Sequence, residues 1–214
     1  MLQILLPVAL VFVLSFLANR HLVALLPQNI YLVLMFPGVV IHELSHYSVS
    51  VLTGTPVHSV QFFSRTGGHI VHGQPKIPVV GQLFISFAPL VIGIALSVFL
   101  ISHLPIEAGN AWQLTLGKFK VGIPEVTGHW GLFDFIKLYL LFSIIMTLTP
   151  SRQDITASSA GIIVLFIVLY ILKLNGWLYY SFEAINFLWY INACLAVIVL
   201  GAYLLKLILN FKGG

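Results

Sequence analysis

Apolar residues along this chain neither alternate nor keep to one helical face. They run on for stretches close to the roughly 20 residues that carry a helix across a bilayer. The pattern predicts spans at Ile4 to Ala18, Gln28 to Thr53, Gln82 to Leu104, Leu132 to Thr149, Ile155 to Leu174 and Asn186 to Leu209. Backbone groups in lipid must be paired within their own segment, so each run is expected to be helical. The short alternating segments of a membrane β-barrel are not seen. Two connections are long. Residues 54–81 hold VHSVQFF, then the Gly67-Gly68 pair, then HIVHG. Branched and aromatic flanks around a turn signal predict a β-hairpin. Residues 105–131 hold Trp112, Trp130 and the stretch WQLTLGKFKVG, which suits an interfacial hairpin or amphipathic segment at headgroup level. The expected fold class is an all-α membrane protein of about six transmembrane helices, with a short β-hairpin between helices 2 and 3. One membrane-embedded domain is expected over residues 1–214.

Composition narrows the function classes. Of the 214 residues, 59% are hydrophobic and 7% are charged, whereas a soluble domain carries about 25% charged residues. No stretch is left for a separate peptide-binding or nucleotide-binding module. The net charge of +4 is scattered, with no Lys/Arg block to mark a nucleic-acid surface. The expected surroundings are a lipid bilayer, with no nucleic-acid partner. Basic residues divide evenly between the two faces, so they do not set the orientation. Cys194 lies in an apolar run and is expected to be a small buried hydrophobe; no CxxC pair exists. The first run has no basic segment before it. It has no small-x-small site after it, since Asn19, Arg20 and His21 follow Ala18. It therefore reads as a retained helix and not as a signal peptide.

The chemistry concentrates in FPGVVIHELSHYSVSVLTG, from Phe36 to Gly54, where Pro37 and Gly38 predict a kink ahead of a polar cluster. His42-Glu43-Leu44-Ser45-His46 is HExxH. Residues four apart lie one above the other on a helix, so His42 and His46 can turn two imidazoles to one metal ion. Glu43 lies about 100° around the helix, within reach of a metal-bound water. Ionisable groups inside an apolar span are costly and are usually functional. The competing reading is a polar helix face satisfied by neighbouring hydroxyls.

A catalytic zinc site takes a third protein ligand and keeps one position open. Asp134 sits three residues before Lys137 at the far end of the fourth span, which predicts a local ion pair. Asp154 lies in LTPSRQDI, at the junction on the same side as the HExxH half of the second span. Topology therefore brings Asp154, and not Asp134, toward the histidines. Capping the fifth helix is its competing role. The two meet only if the Thr149 to Asp154 turn, opened by Pro150, dips inward or the second helix protrudes: His46 is about 10 Å below the helix end by the 1.5 Å rise.

An HExxH on a hydrophobic helix, then a span rich in small residues, then a distal Asp at a helix junction resembles the site-2 protease family of intramembrane zinc metalloproteases. The resemblance covers about Gly38 to Asp154. It implies His42, His46 and Asp154 as ligands of Zn2+, Glu43 as the catalytic base, and cleavage of a transmembrane protein or peptide substrate. The family's distal motif is Asn-Pro-x-x-Asp-Gly-like or Leu-Asp-Gly; here it is Thr149-Pro150-Ser151-Arg152-Gln153-Asp154-Ile155, with the Pro but without the Gly.

Further expectations attach to this centre. A free hairpin edge, Val57 to Phe63 or His69 to Gly73, can hold an extended substrate strand. His58, His69 and His72 are either interfacial polar residues or groups that bond a reaction intermediate. Arg152 can orient Asp154 or meet a lipid phosphate. Ser86, Ala88, Gly93, Ala95 and Ser97 predict close helix packing. Two other functions share the same cluster: a transporter of metal ions or protons, and a proteolytically inactive membrane scaffold.

Overall fold

The computed structural model describes the chain apart from residues 1, 66, 117–118, 127, 149–150, 162, 164–166, 168–170, 172–181 and 212–214. The fold is mostly helical, with two separate two-stranded antiparallel sheets. In chain order the elements are α1 (Leu2–Leu25), α2 (Gln28–Leu52), β1 (Val57–Gln61), β2 (His69–His72), α3 (Pro78–Ser102), β3 (Ile106–Leu116), β4 (Phe119–Val126), α4 (Leu132–Met146), α5 (Arg152–Ala157) and α6 (Phe182–Phe211). Among the described residues, α2 and α3 are long and apolar enough to cross a membrane; Ala9–Leu25 and Ile191–Leu207 are shorter apolar stretches. Half of the predicted fifth span lies outside the described residues. What is described there is the end of α5, a turn at Ser158, and helical residues at 159–161 and at Ile163, Ile167 and Ile171.

Several boundaries differ from expectation for physical reasons. The first helix does not stop at Ala18. It continues through Asn19, Arg20 and His21, and the bundle supplies partners for Ser15 and Asn19. The Ser15 hydroxyl and the Asn19 amide both donate to the Met146 carbonyl, at 3.1 and 2.8 Å, and Tyr31 donates to Asn19 Oδ1 at 3.3 Å. The fourth helix ends at Met146 and not at Thr149. Its 15 residues rise only about 22 Å, short of the roughly 30 Å hydrocarbon core of a bilayer. Cys194 is exposed on α6, not buried as its apolar surroundings suggested. The connection at 105–131 is a hairpin, β3 with β4.

The core forms where α2, α3 and α4 pack on one another, with α1 and α6 paired beside them. Met35 of α2, Leu90 of α3, and Ile144 and Met146 of α4 are buried together with Val11 and Leu195. Two features of α2 allow α4 to come close. Gly38 has no side chain, and a Cβ there would overlap the Ser143 carbonyl. Pro37 has no N–H to give the Val33 carbonyl one turn back. The Tyr139 hydroxyl of α4 donates to that carbonyl instead, and the Gly38 N–H donates to Ser143 Oγ at 2.8 Å. Backbone groups released by the proline are thus satisfied across the helix pair, as an apolar surround requires.

After α2, Gly54 takes a left-handed conformation (φ 64°) and ends the helix. The first hairpin then turns back along α2 and does not spread over its end. Phe62 meets Tyr47, and Phe63 packs edge-on against Phe36 at 4.8 Å. Phe36 lies about 24 Å down the helix from Leu52 by the 1.5 Å rise, so the hairpin tip sits deep alongside the bundle. The tip turns at Ser64–Gly67, where the Ser64 hydroxyl donates to the Gly67 carbonyl at 2.6 Å and Gly67 adopts φ 109°.

Substituting Gly38→Ala drives a methyl into the Ser143 carbonyl. We expect a loss of about 1–3 kcal/mol, read as a lower unfolding midpoint in detergent, with Gly201→Ala, which meets open space, nearly unchanged.

Candidate metal centre

The centre is built where α2 crosses the end of α4 and the start of α5. The sequence places His42 and His46 one turn apart on α2, and their rings meet edge to face at 4.9 Å between centroids. Each ring is held from behind by a backbone carbonyl. His42 Nδ1 lies 2.7 Å from the carbonyl of Thr147, the first residue beyond α4, and His46 Nδ1 lies 2.8 Å from the carbonyl of Ile85 in α3. A carbonyl only accepts, so each Nδ1 is the protonated nitrogen. In the neutral rings the lone pairs then sit on the two Nε2 atoms, which face each other at 3.2 Å. Two lone pairs that close repel unless a shared proton or a cation lies between them.

Asp154 supplies the negative charge beside them. Its Oδ2 is 3.6 Å from His46 Nε2. One ligand atom each from His42, His46 and Asp154 can be chosen so that all lie within 4.8 Å of one another. The three can therefore hold a metal ion. The donor set fits: two neutral imidazoles and a carboxylate, with each imidazole's far nitrogen hydrogen-bonded, is the arrangement in which ring orientation is fixed for a metal. Four-coordinate zinc with Zn–N of 2.0–2.1 Å sets its nitrogens about 3.3 Å apart, close to the observed 3.2 Å.

Asp154 also has a local duty. Ser151 is the N-cap of α5 and Asp154 is its third residue, forming a capping box. Asp154 Oδ2 accepts from the Ser151 N–H at 2.8 Å and from its hydroxyl at 2.6 Å, while Ser151 Oγ accepts from the Asp154 N–H at 3.1 Å. The capping role is therefore real, though at the third position and not at the cap itself, and it coexists with proximity to His46. Burial pushes the Asp154 carboxyl up, but the His46 ring and the two Ser151 donors outweigh it and hold the group below the usual carboxylate range. Asp134 is elsewhere. It pairs with Lys137 at 2.9 Å and accepts from the Gly131 N–H, as its spacing suggested.

Glu43 is 9% exposed and its stem lies against Gly68 of the hairpin tip, where a Cβ would collide with it. A cavity of about 530 Å³ opens from this point, lined by His42, Glu43, His46 and Asp154 and by residues 68–74. His69 and His72 are in that lining. His58, at a bulge in β1, is not. Gln82, Ser151 and Gln153 also reach the cavity and carried no signal in the sequence beyond polarity. The side chain of Arg152 and residues Thr149 and Pro150 lie outside the described residues. The carbonyls of Ile85 and Thr147 are backbone groups and carry no side-chain signal.

No family model, no curated protein and no solved structure matches the chain.

The two duties of Asp154 separate by mutation. Ser151→Ala removes the cap and is expected to cost about 1 kcal/mol of stability while divalent-metal binding persists. Asp154→Ala is expected to lose the cap and metal binding together, measured by metal content after dialysis.

Proposed function

We propose that this chain is a zinc-dependent intramembrane endopeptidase, the activity of the site-2 protease family that its sequence resembles. The observation that carries the reading is the facing pair of His42 and His46 Nε2 atoms at 3.2 Å, with Asp154 beside them and Glu43 lining the same cavity. In this reading all six apolar runs cross the bilayer. Large apolar side chains that face outward, such as Val33, Phe84, Val91, Phe133 and Val197, support it, because an unbroken apolar exterior suits lipid.

His42, His46 and Asp154 would hold the zinc. Bound there, zinc supplies a Lewis acid that polarises a carbonyl and brings the pKa of a water to about 7. Glu43 then acts as the general base, taking a proton from the attacking water and returning it to the departing amine. Its placement against Gly68 keeps the carboxylate at the cavity wall and limits its rotamers.

The first hairpin supplies the place for substrate. A peptide bond inside a helix is shielded by its own hydrogen bonds, so a membrane-spanning substrate has to be locally extended before attack. Among the described residues β2 pairs with β1 alone, which leaves its other edge open there, and residues 68–74 line the same cavity as the metal ligands. An extended segment laid on that edge would gain main-chain hydrogen bonds and run past Glu43. The hairpin's course along α2 carries this edge to the depth of the site.

Glu43→Gln should keep its zinc and lose cleavage of a membrane-embedded substrate by about 10² to 10⁴-fold, the usual share of a general base. Zinc analysis and a proteoliposome cleavage assay read the two quantities. Ion flux without cleavage in the unaltered protein would instead mark a transporter, and metal-free, inert protein a scaffold.

A further inference from the structure

We propose that Pro89, in the middle of α3, is a positioning residue for the metal centre. It withholds a backbone N–H from the Ile85 carbonyl and so leaves that acceptor to fix His46 with Nε2 turned toward the site. The inference rests on the zinc reading for its purpose, but not for its geometry.

In an α-helix the N–H of residue 89 would bond the carbonyl of residue 85. Proline has no N–H, so the Ile85 carbonyl lacks its helical partner. Ile85 is 1% exposed, so bulk water does not replace that partner, and a buried carbonyl left unpaired is costly. Among the described residues, the side-chain donor that meets it is His46 Nδ1, at 2.8 Å. Need and supply match. The carbonyl requires a donor, and by donating the ring commits its proton to Nδ1. Nε2 is then the only nitrogen with a lone pair, and it points to His42 Nε2 and Asp154.

The same device appears a second time. Pro37 frees the Val33 carbonyl, and the Tyr139 hydroxyl takes it. There it joins two helices; at Pro89 it orients a ligand. Within α2 itself, hydroxyls answer carbonyls locally: Ser45 donates to Ile41 and Ser48 to Leu44. His46 instead reaches across to α3 for its acceptor.

In Pro89→Ala the residue-89 N–H returns, in line with the Ile85 carbonyl. A carbonyl can accept twice, so the His46 bond becomes secondary and is not abolished. Partners of this kind change metal affinity by about 10 to 100-fold, and the lower end is expected, a roughly tenfold weaker zinc Kd by chelator competition. Pro7→Ala, which removes a proline from α1, should leave the Kd within about twofold. The second readout needs neither activity nor metal: solid-state 15N spectra of histidine-labelled, zinc-free protein. Neutral His46 should be the Nδ1–H tautomer in the unaltered chain and a mixture in Pro89→Ala. The proposal is overturned if neutral His46 carries its proton on Nε2 in the unaltered chain, a result that stands even if the variant does not fold. It is equally overturned if Pro89→Ala changes neither tautomer nor Kd, or if Pro7→Ala weakens zinc as much. A chain that takes up no zinc but shows the tautomer shift would defeat the peptidase reading and leave the positioning intact.

Discussion

Two imidazole nitrogens that each carry a lone pair repel at 3.2 Å, and a shared proton or a cation between them relieves the repulsion. Most of the neighbouring structure acts to keep them this close. One ring is tied to the residue just beyond α4 and the other to α3, so three helices must hold their mutual depth for the pair to exist. Gly38 and Pro37 set the closeness of α2 to α4, and with it the reach of His42 to Thr147. The polar side chains of α1 grip the Met146 carbonyl one residue earlier and hold that end in place. Removing a ring from this arrangement would leave buried carbonyls without donors, so local stability and the candidate centre share the same bonds.

The hairpin completes the enclosure from the other side. Aromatic contacts of Phe62 and Phe63 with α2 fasten it along the helix. Gly68 then meets Glu43 with no side chain to spare. Any substitution at Gly68 therefore acts on the carboxylate directly, and a fault in the Phe36–Phe63 packing would act on it through the tip.

Some of this was legible in the sequence and some was not, for identifiable reasons. His42 and His46 were legible because a fixed helical period determines their relation whatever the rest of the chain does. Asp154 was legible as a topological candidate, since a junction on the right side of the bundle had to carry it. Its meeting with His46 depended on the length of α4, which apolar composition overstated: Thr147 and Leu148 continue the hydrophobic run, yet the helix has already ended. The hairpin was announced by Gly67-Gly68. Its depth was not, because strand alternation says which residues face together and nothing about where the pair lies against a helix. The continuation of α1 through Asn19 was hidden for a related reason. Polarity suggests an end only if no partner waits inside, and Met146 was waiting. Cys194 showed the opposite error, since an apolar neighbourhood says little about which face of a helix a residue occupies.

The brevity of α4 reaches beyond geometry. If α4 crosses the bilayer, as the proposed function has it, a helix some 8 Å too short for the hydrocarbon layer would oblige the surrounding lipid to thin. Each hydrolytic turnover would consume a water molecule at a place where lipid tails exclude it. In the proposed enzyme, that local thinning would bring the polar boundary nearer the site and shorten the reagent's way in.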